Sequence, residues 1–204
     1  MYFSGRVPAD SLVGRVILST RFQPGAVVGV GLTASLFIPV CVVTGGPVVL
    51  IALPLLAITA LADASYMLLA ARSTSLSRRV LVLEPLAARL SEGAWLLALW
   101  LLGAPGWAVA VTGALCWMYV LTRMRARQVG LNDLGMTTMG ERSVREVVVA
   151  LGLGACGVIA VAGGGQYAEW TEGVVTIAIT AWMLLAALGL LQLVIVVGAA
   201  LRND

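Results

Sequence analysis

The chain contains no lysine and no histidine: all 13 of its basic residues are arginine. Without an imidazole, histidine-based acid–base catalysis and histidine-ligated metal centres are excluded. Charge is sparse, at 11% of residues, and aromatic side chains make up 6%. Hydrophobic residues, by contrast, account for 60% of the 204 positions, and the mean hydropathy is +1.00. Soluble domains carry roughly 45–50% apolar residues, so this chain has too few polar side chains to cover a water-facing surface. A soluble globule is ruled out. The net charge of +3 and isoelectric point near 9.1 do not argue for a nucleic-acid partner, because in a membrane chain a basic excess belongs to the cytoplasmic loops.

Cysteine is scarce as well. Cys41, Cys116 and Cys156 each lie inside an apolar run, at separations that match no metal-binding pattern, so they read as small buried hydrophobes and no disulfide is expected. Near the N-terminus Asp10 interrupts Arg6 and Arg15, and no apolar core with a small-residue cleavage site follows promptly. A cleaved signal peptide is not expected.

What the sequence does have is long apolar runs. They fall at 24–44, 47–71, 80–103, 105–123, 146–164 and 173–200, bounded by Gly, Pro or charge. Each is close to the ~20 residues that cross about 30 Å of hydrocarbon. The expectation is an all-α integral membrane protein with six transmembrane helices in one domain, 21–204. Residues 1–20 place Val7, Leu12, Val16 and Ile17 among Arg6, Asp10 and Arg15. That pattern suits an amphipathic helix lying at the membrane interface, and equally an ordinary polar leader.

The arginines give an independent test of this count. Twelve of them, Arg89 excepted, fall at the N-terminus, between the second and third runs, around the loop between the fourth and fifth, or at the C-terminus. Those segments share one side of a six-span chain. The opposite connections, Thr44 to Pro47, Gly103 to Gly106 and Gly163 to Gly173, hold no basic residue, and the last contains Glu169 and Glu172. By the positive-inside rule both termini are cytoplasmic. Trp107 and Trp170 stand where outer interfacial anchors belong.

Ionisable side chains within hydrocarbon cost about 2.5–3.5 kcal/mol each on insertion scales and are functional candidates for that reason. Asp63 in the second run and Glu84, Arg89 and Glu92 in the third qualify. Glu84, Ala88 and Glu92 are spaced four apart and stack on one helical face. By spacing Arg89 is a neighbour of Glu92 rather than its partner; pairing with a carboxylate on another helix, such as Asp63, would only fix packing, and this reading stands level with the functional one. The second group is the fourth loop, where Arg123, Arg125 and Arg127 leave one run and Arg142 and Arg145 enter the next. Five guanidiniums suit a phosphate site, because the planar fork matches phosphate oxygens in pairs. They equally suit headgroup contact and topology signalling.

The order of these features resembles the CDP-alcohol phosphotransferase family, six-span membrane enzymes that join a CDP-linked lipid or alcohol to an acceptor hydroxyl and release CMP. Among its members the chain is most similar to the actinobacterial phosphatidylinositol-phosphate synthases. Arg21-Phe22-Gln23-Pro24-Gly25-Ala26-Val27 resembles the basic, proline-containing approach to the family's first span. Ala70-Ala71-Arg72 resembles the end of the signature Asp-x-x-Asp-Gly-x-x-Ala-Arg, and Ala88-Arg89-Leu90-Ser91-Glu92-Gly93-Ala94 the segment that begins with its last Asp. Arg123 to Leu131 resembles the synthases' Lys-Ala-Arg-Ala-Glu-Ala-Ser-Gly-Leu, and Glu141-Arg142-Ser143-Val144-Arg145 their Glu-Arg-Pro-Glu-Arg.

The resemblance implies four carboxylates on the second and third spans that hold two divalent cations, Mg²⁺ or Mn²⁺, against the CDP pyrophosphate, the final Asp acting as base. This chain departs from that set. With Ala71-Arg72 on the signature's Ala-Arg, Ala64 and Met67 stand at its first two Asp and Leu68 at its Gly. Asp63 is one position early, rotated by about 100°. Glu84 replaces the third Asp and Ala88 the fourth. Loss of a general base alone removes about 10²–10⁴-fold in rate. The resemblance therefore implies a degenerate paralogue that acts as a homodimer or as a heterodimer partner or regulator of an active paralogue, in contact with membrane lipids. Asp63, Glu84 and Glu92 are its vestigial acidic residues. Arg123 and Arg145 match positions that line the synthases' inositol-phosphate pocket; with Arg72, Arg125 and Arg142 they are the candidates for a CDP-lipid or sugar phosphate. The alternative is an active transferase with a rebuilt site, in which Asp63, Glu84 and Glu92 hold one metal.

Overall fold

A computed structural model describes residues 23–72, 77–131, 142–163 and 168–202. The described residues are helical, with no strand among them. The helices are α1 (Pro24–Thr44), a 3₁₀ turn at Gly46–Ile51 that leads into α2 (Ala52–Arg72), α3 (Arg78–Leu101), α4 (Gly106–Gln128), α5 (Arg142–Gly163) and α6 (Ala168–Ala200). These bounds follow the apolar runs closely. Residues 1–20, with the expected interfacial helix, lie outside the described residues.

Five of these segments are long and apolar enough to cross a membrane: 24–44, 46–70, 106–128, 142–163 and 170–200. This is an all-α, multi-pass membrane protein. The expected third crossing exists as a helix, α3, but any 18-residue stretch of it contains at least three of Arg78, Arg79, Glu84, Arg89 and Glu92. Its length is that of a span and its charge content is not.

Glycine and proline set the ends of the helices. Pro24 occupies the first turn of α1, where its missing N–H is no loss. α3 closes with Gly103 at φ 108°, its N–H donating to Trp100 O at 3.0 Å while Ala104 N donates to Leu99 O at 3.0 Å. The pattern repeats at the end of α4, where Gly130 has φ 94° and Leu131 N donates to Ala126 O. Both are Schellman closures, which need a left-handed residue just past the helix.

The chain forms two compact units that meet in sequence near Ala98 and Leu99. In the first, α1 packs on α2 through small residues: a methyl group at Gly31 would stand 2.9 Å from Ala62 Cβ. That close approach lets the Ser35 and Thr59 hydroxyls hydrogen-bond at 3.0 Å, and Thr59 also donates to Leu55 O at 3.1 Å. Small residues with interhelical hydroxyl bonds are a usual means of association where lipid supplies no hydrophobic drive. At one end Val27, Ala62 and Tyr66 form a buried cluster, closed by Val80 from α3.

In the second unit α6 packs against both α4 and α5. Val175, Ala178, Ile179, Trp182, Ala186 and Leu193 are among its buried residues, at helical spacing. Cys116 and Cys156 are buried and Cys41 half-buried, all three as free thiols.

Polarity runs the reverse of a soluble protein's. Ser35, Thr59, Ser65, Ser91, Glu92, Thr112 and Arg145 are buried, while Val43, Val82, Trp107, Leu151 and Ile177 are largely exposed. Only 17–39% of each crossing segment is buried within the chain, so most of each faces outward, as lipid contact requires.

Candidate functional site

The acidic group belongs to the first unit. Glu92 is 1% exposed, and its carboxylate accepts a charge-assisted hydrogen bond from Arg89, one turn before it on α3. The expectation that Arg89 is a neighbour of Glu92 rather than its partner is therefore corrected. Residues three apart on a helix are neighbours, and in this medium an arginine within reach of a carboxylate will pair with it. The sequence held that signal in its three-residue spacing. Ser91 and Trp95 are buried around the same turn.

Glu84 and Asp63 are half-buried, on α3 and α2. The Glu84 carboxylate lies close enough to Tyr66 of α2 to act on its phenol through charge. Ala88, at the place of the family's base, is buried. Met67, at the place of its second Asp, is half exposed. Among the described residues no three Asp, Glu, Cys or His side chains come together as a metal-binding group. Asp63, Glu84 and Glu92 thus do not form one, and Glu92 is neutralised by Arg89. A magnesium pair demands several convergent carboxylate oxygens; the residues present do not fit it, nor do they fit the single rebuilt metal.

The basic group belongs to the second unit and its five arginines are not equivalent. Arg125 and Arg127 are exposed in the last turn of α4. There they complement the negative end of the helix dipole, and Arg125 donates to Gln128 Oε1 at 3.1 Å. Arg123 is half-buried and reaches Tyr119 Oη at 3.4 Å. Tyr119 is itself buried, so the contact pins the arginine against the helix. Arg142 pairs with Glu146, Nε to Oε1 at 3.3 Å, which offsets its charge locally.

Arg145 differs from all of these, at 3% exposed. It shares a buried face of α5 with Val149, Gly152, Leu153 and Cys156. The first turn of that helix carries no acidic residue, so the dipole opposes the guanidinium there. The sequence contained this clue: Arg145 is in phase with the apolar stripe of α5, and Arg142 with Glu146. Tyr119 and Glu146 were missed because neither stands out as a charge within hydrocarbon. Arg72 ends α2.

Two chemistries are therefore present at residue level, a carboxylate–guanidinium pair sealed within a helix and a set of basic side chains where α4 ends and α5 begins. No protein-family model, curated protein or solved structure matches the chain. Its helical, multi-pass membrane character rests on the apolar crossing segments alone.

Proposed function

We propose that the chain is a CDP-alcohol-phosphotransferase-like membrane protein of phospholipid metabolism that has lost metal-dependent transfer and keeps a basic anion pocket. It acts as a partner or regulator of an active paralogue, as one half of a dimer. In this reading α3 is the sixth crossing, admitted because its charges are sheltered from lipid, and both termini face the cytoplasm of a bacterial-type inner membrane.

The observation that carries the reading is the state of Glu92. The segment that resembles the family's last catalytic motif contains one fully buried carboxylate, and that carboxylate is tied to Arg89 rather than free to hold a cation or take a proton. Arg145 supports the retained pocket, since a guanidinium buried at the positive end of a helix gains from a phosphate nearby.

The test is release of CMP from CDP-diacylglycerol with inositol phosphate or other alcohols, in Mg²⁺ or Mn²⁺, by the purified chain alone and with a co-expressed paralogue. No turnover alone and altered turnover in the pair is expected. Turnover by the isolated chain that is lost in Glu84→Ala would overturn the proposal in favour of a rebuilt metal site. The pocket is tested in the same preparation: Arg145→Met is expected to weaken inositol-phosphate binding by about tenfold or more, in line with loss of a charge-assisted bond.

A further inference from the structure

Within the first unit, α1 and α3 leave a groove of about 170 Å³ between them. Gly25, Val28 and Gly29 form its α1 wall, and Val80, Leu83 and Leu86 begin its α3 wall. No polar side chain lines it, and neither Glu84 nor Glu92 reaches it. At Gly29 the α1 wall has no side chain, and an added Cβ there would meet nothing within 4 Å.

The groove extends along α1 to Leu32 and along α3 to Leu90, which at 1.5 Å per residue is about 10–15 Å. That is close to half of a hydrocarbon core of about 30 Å, the depth of one leaflet. A volume of about 170 Å³ is small beside a helix about 10 Å across with its side chains, and is of the size of part of a single polymethylene chain.

One end of the groove is strongly positive. Arg78 and Arg79 open α3 immediately before Val80, and both are exposed. Its first turn has no acidic residue, and the helix N-terminus adds roughly half a positive charge. Neither arginine has an ion-pair partner among the described residues. An apolar slot one leaflet deep, with two guanidiniums at its mouth, complements an amphiphile with one tail along the slot and a phosphate above it.

We propose that this groove binds one acyl chain of an anionic phospholipid, whose phosphate is held by Arg78 and Arg79. The guanidinium fork matches phosphate oxygens in pairs. Each basic side chain near an anionic lipid surface favours binding by about fivefold, so two give a preference of roughly 30-fold over a zwitterionic lipid of the same chain length. The site is separate from the carboxylates and does not depend on the transferase-like reading.

The experiment is native mass spectrometry of the delipidated full chain titrated with phosphatidylglycerol and with phosphatidylcholine of matched acyl chains. Retention of one phosphatidylglycerol with the preference above is expected. Arg78→Gln with Arg79→Gln should bring the preference close to one while phosphatidylcholine binding is unchanged. Gly29→Leu, whose Cβ would meet nothing within 4 Å and whose side chain adds bulk to the α1 wall, should weaken both lipids tenfold or more, and Leu86→Trp on the facing wall should do the same. Helical circular dichroism checks that each variant folds. Equal binding of the two lipids by the unaltered chain, or undiminished retention in both groove variants, would overturn the proposal. So would a cross-linked dimer that Gly29→Leu converts to monomer, since the occupant would then be a second copy.

Discussion

Glu92 lies on a helix whose outward residues include Leu81, Val82, Leu83, Leu86 and Leu90, and a lone carboxylate there would have to shed its charge or leave the helix. Arg89 removes that choice. A buried pair adds little compared with an apolar pair of the same shape, but half of one is strongly destabilising. Arg89→Leu is therefore expected to lower stability by about 3–5 kcal/mol, measured by denaturant unfolding in mixed micelles. Arg89→Leu combined with Glu92→Leu should recover most of that loss. A single substitution with no effect would show that Glu92 has another means of neutralisation. At this scale the sequence was only partly legible. That Glu92 needs a partner follows from its position in an apolar run. Which partner it takes depends on rotamers that a spacing rule limits to one turn but does not choose. The five loop arginines show the same limit, since their number is in the sequence while the burial of Arg145 and the exposure of Arg125 come from packing.

The elements were read far better than their contacts. Pro24, the Gly45-Gly46 pair, Gly103 and Gly130 mark or adjoin helix ends as backbone chemistry requires, and the apolar runs fall almost wholly within helices. α3 is the exception in kind. Three charges inside it would cost together roughly 8–10 kcal/mol on insertion scales, more than its leucines readily return. It should therefore insert poorly as an isolated segment in a translocon glycosylation assay, and well when α1 and α2 precede it. Replacing Glu84, Arg89 and Glu92 together by Leu should make it insert alone. Equal insertion with and without the preceding helices would mean that α3 crosses by its own hydrophobicity. The groove along the same helix was invisible in the sequence, because nothing in the residue pattern identifies α3 as the wall that faces Gly25 and Gly29.

For the whole molecule, arginine placement makes an orientation claim that the fold itself does not contain. Single cysteines at Ser77 and Gly130, in a chain whose three native thiols are replaced by Ala, are expected to react with a membrane-impermeant maleimide only in inverted vesicles. A single cysteine at Pro105 should react only from the other side. Labelling of the Ser77 and Pro105 cysteines from one side, with the Gly130 cysteine labelled from the other, would remove α3 from the set of crossings and, with it, the six-span kinship. The reversed polarity described above is the more robust property: wherever the termini lie, outward Val, Leu and Ile side chains and inward Ser and Thr hydroxyls commit the chain to the bilayer.

The final helix, α6, has 33 residues, so its rod is about 50 Å long, well beyond a hydrocarbon depth of about 30 Å. It must lean or project from the bilayer, and the degree of lean follows membrane thickness. Thicker, longer-chain bilayers would draw it upright and thinner ones would flatten it, so the lipid environment can set the posture of the helix on which α4 and α5 rest.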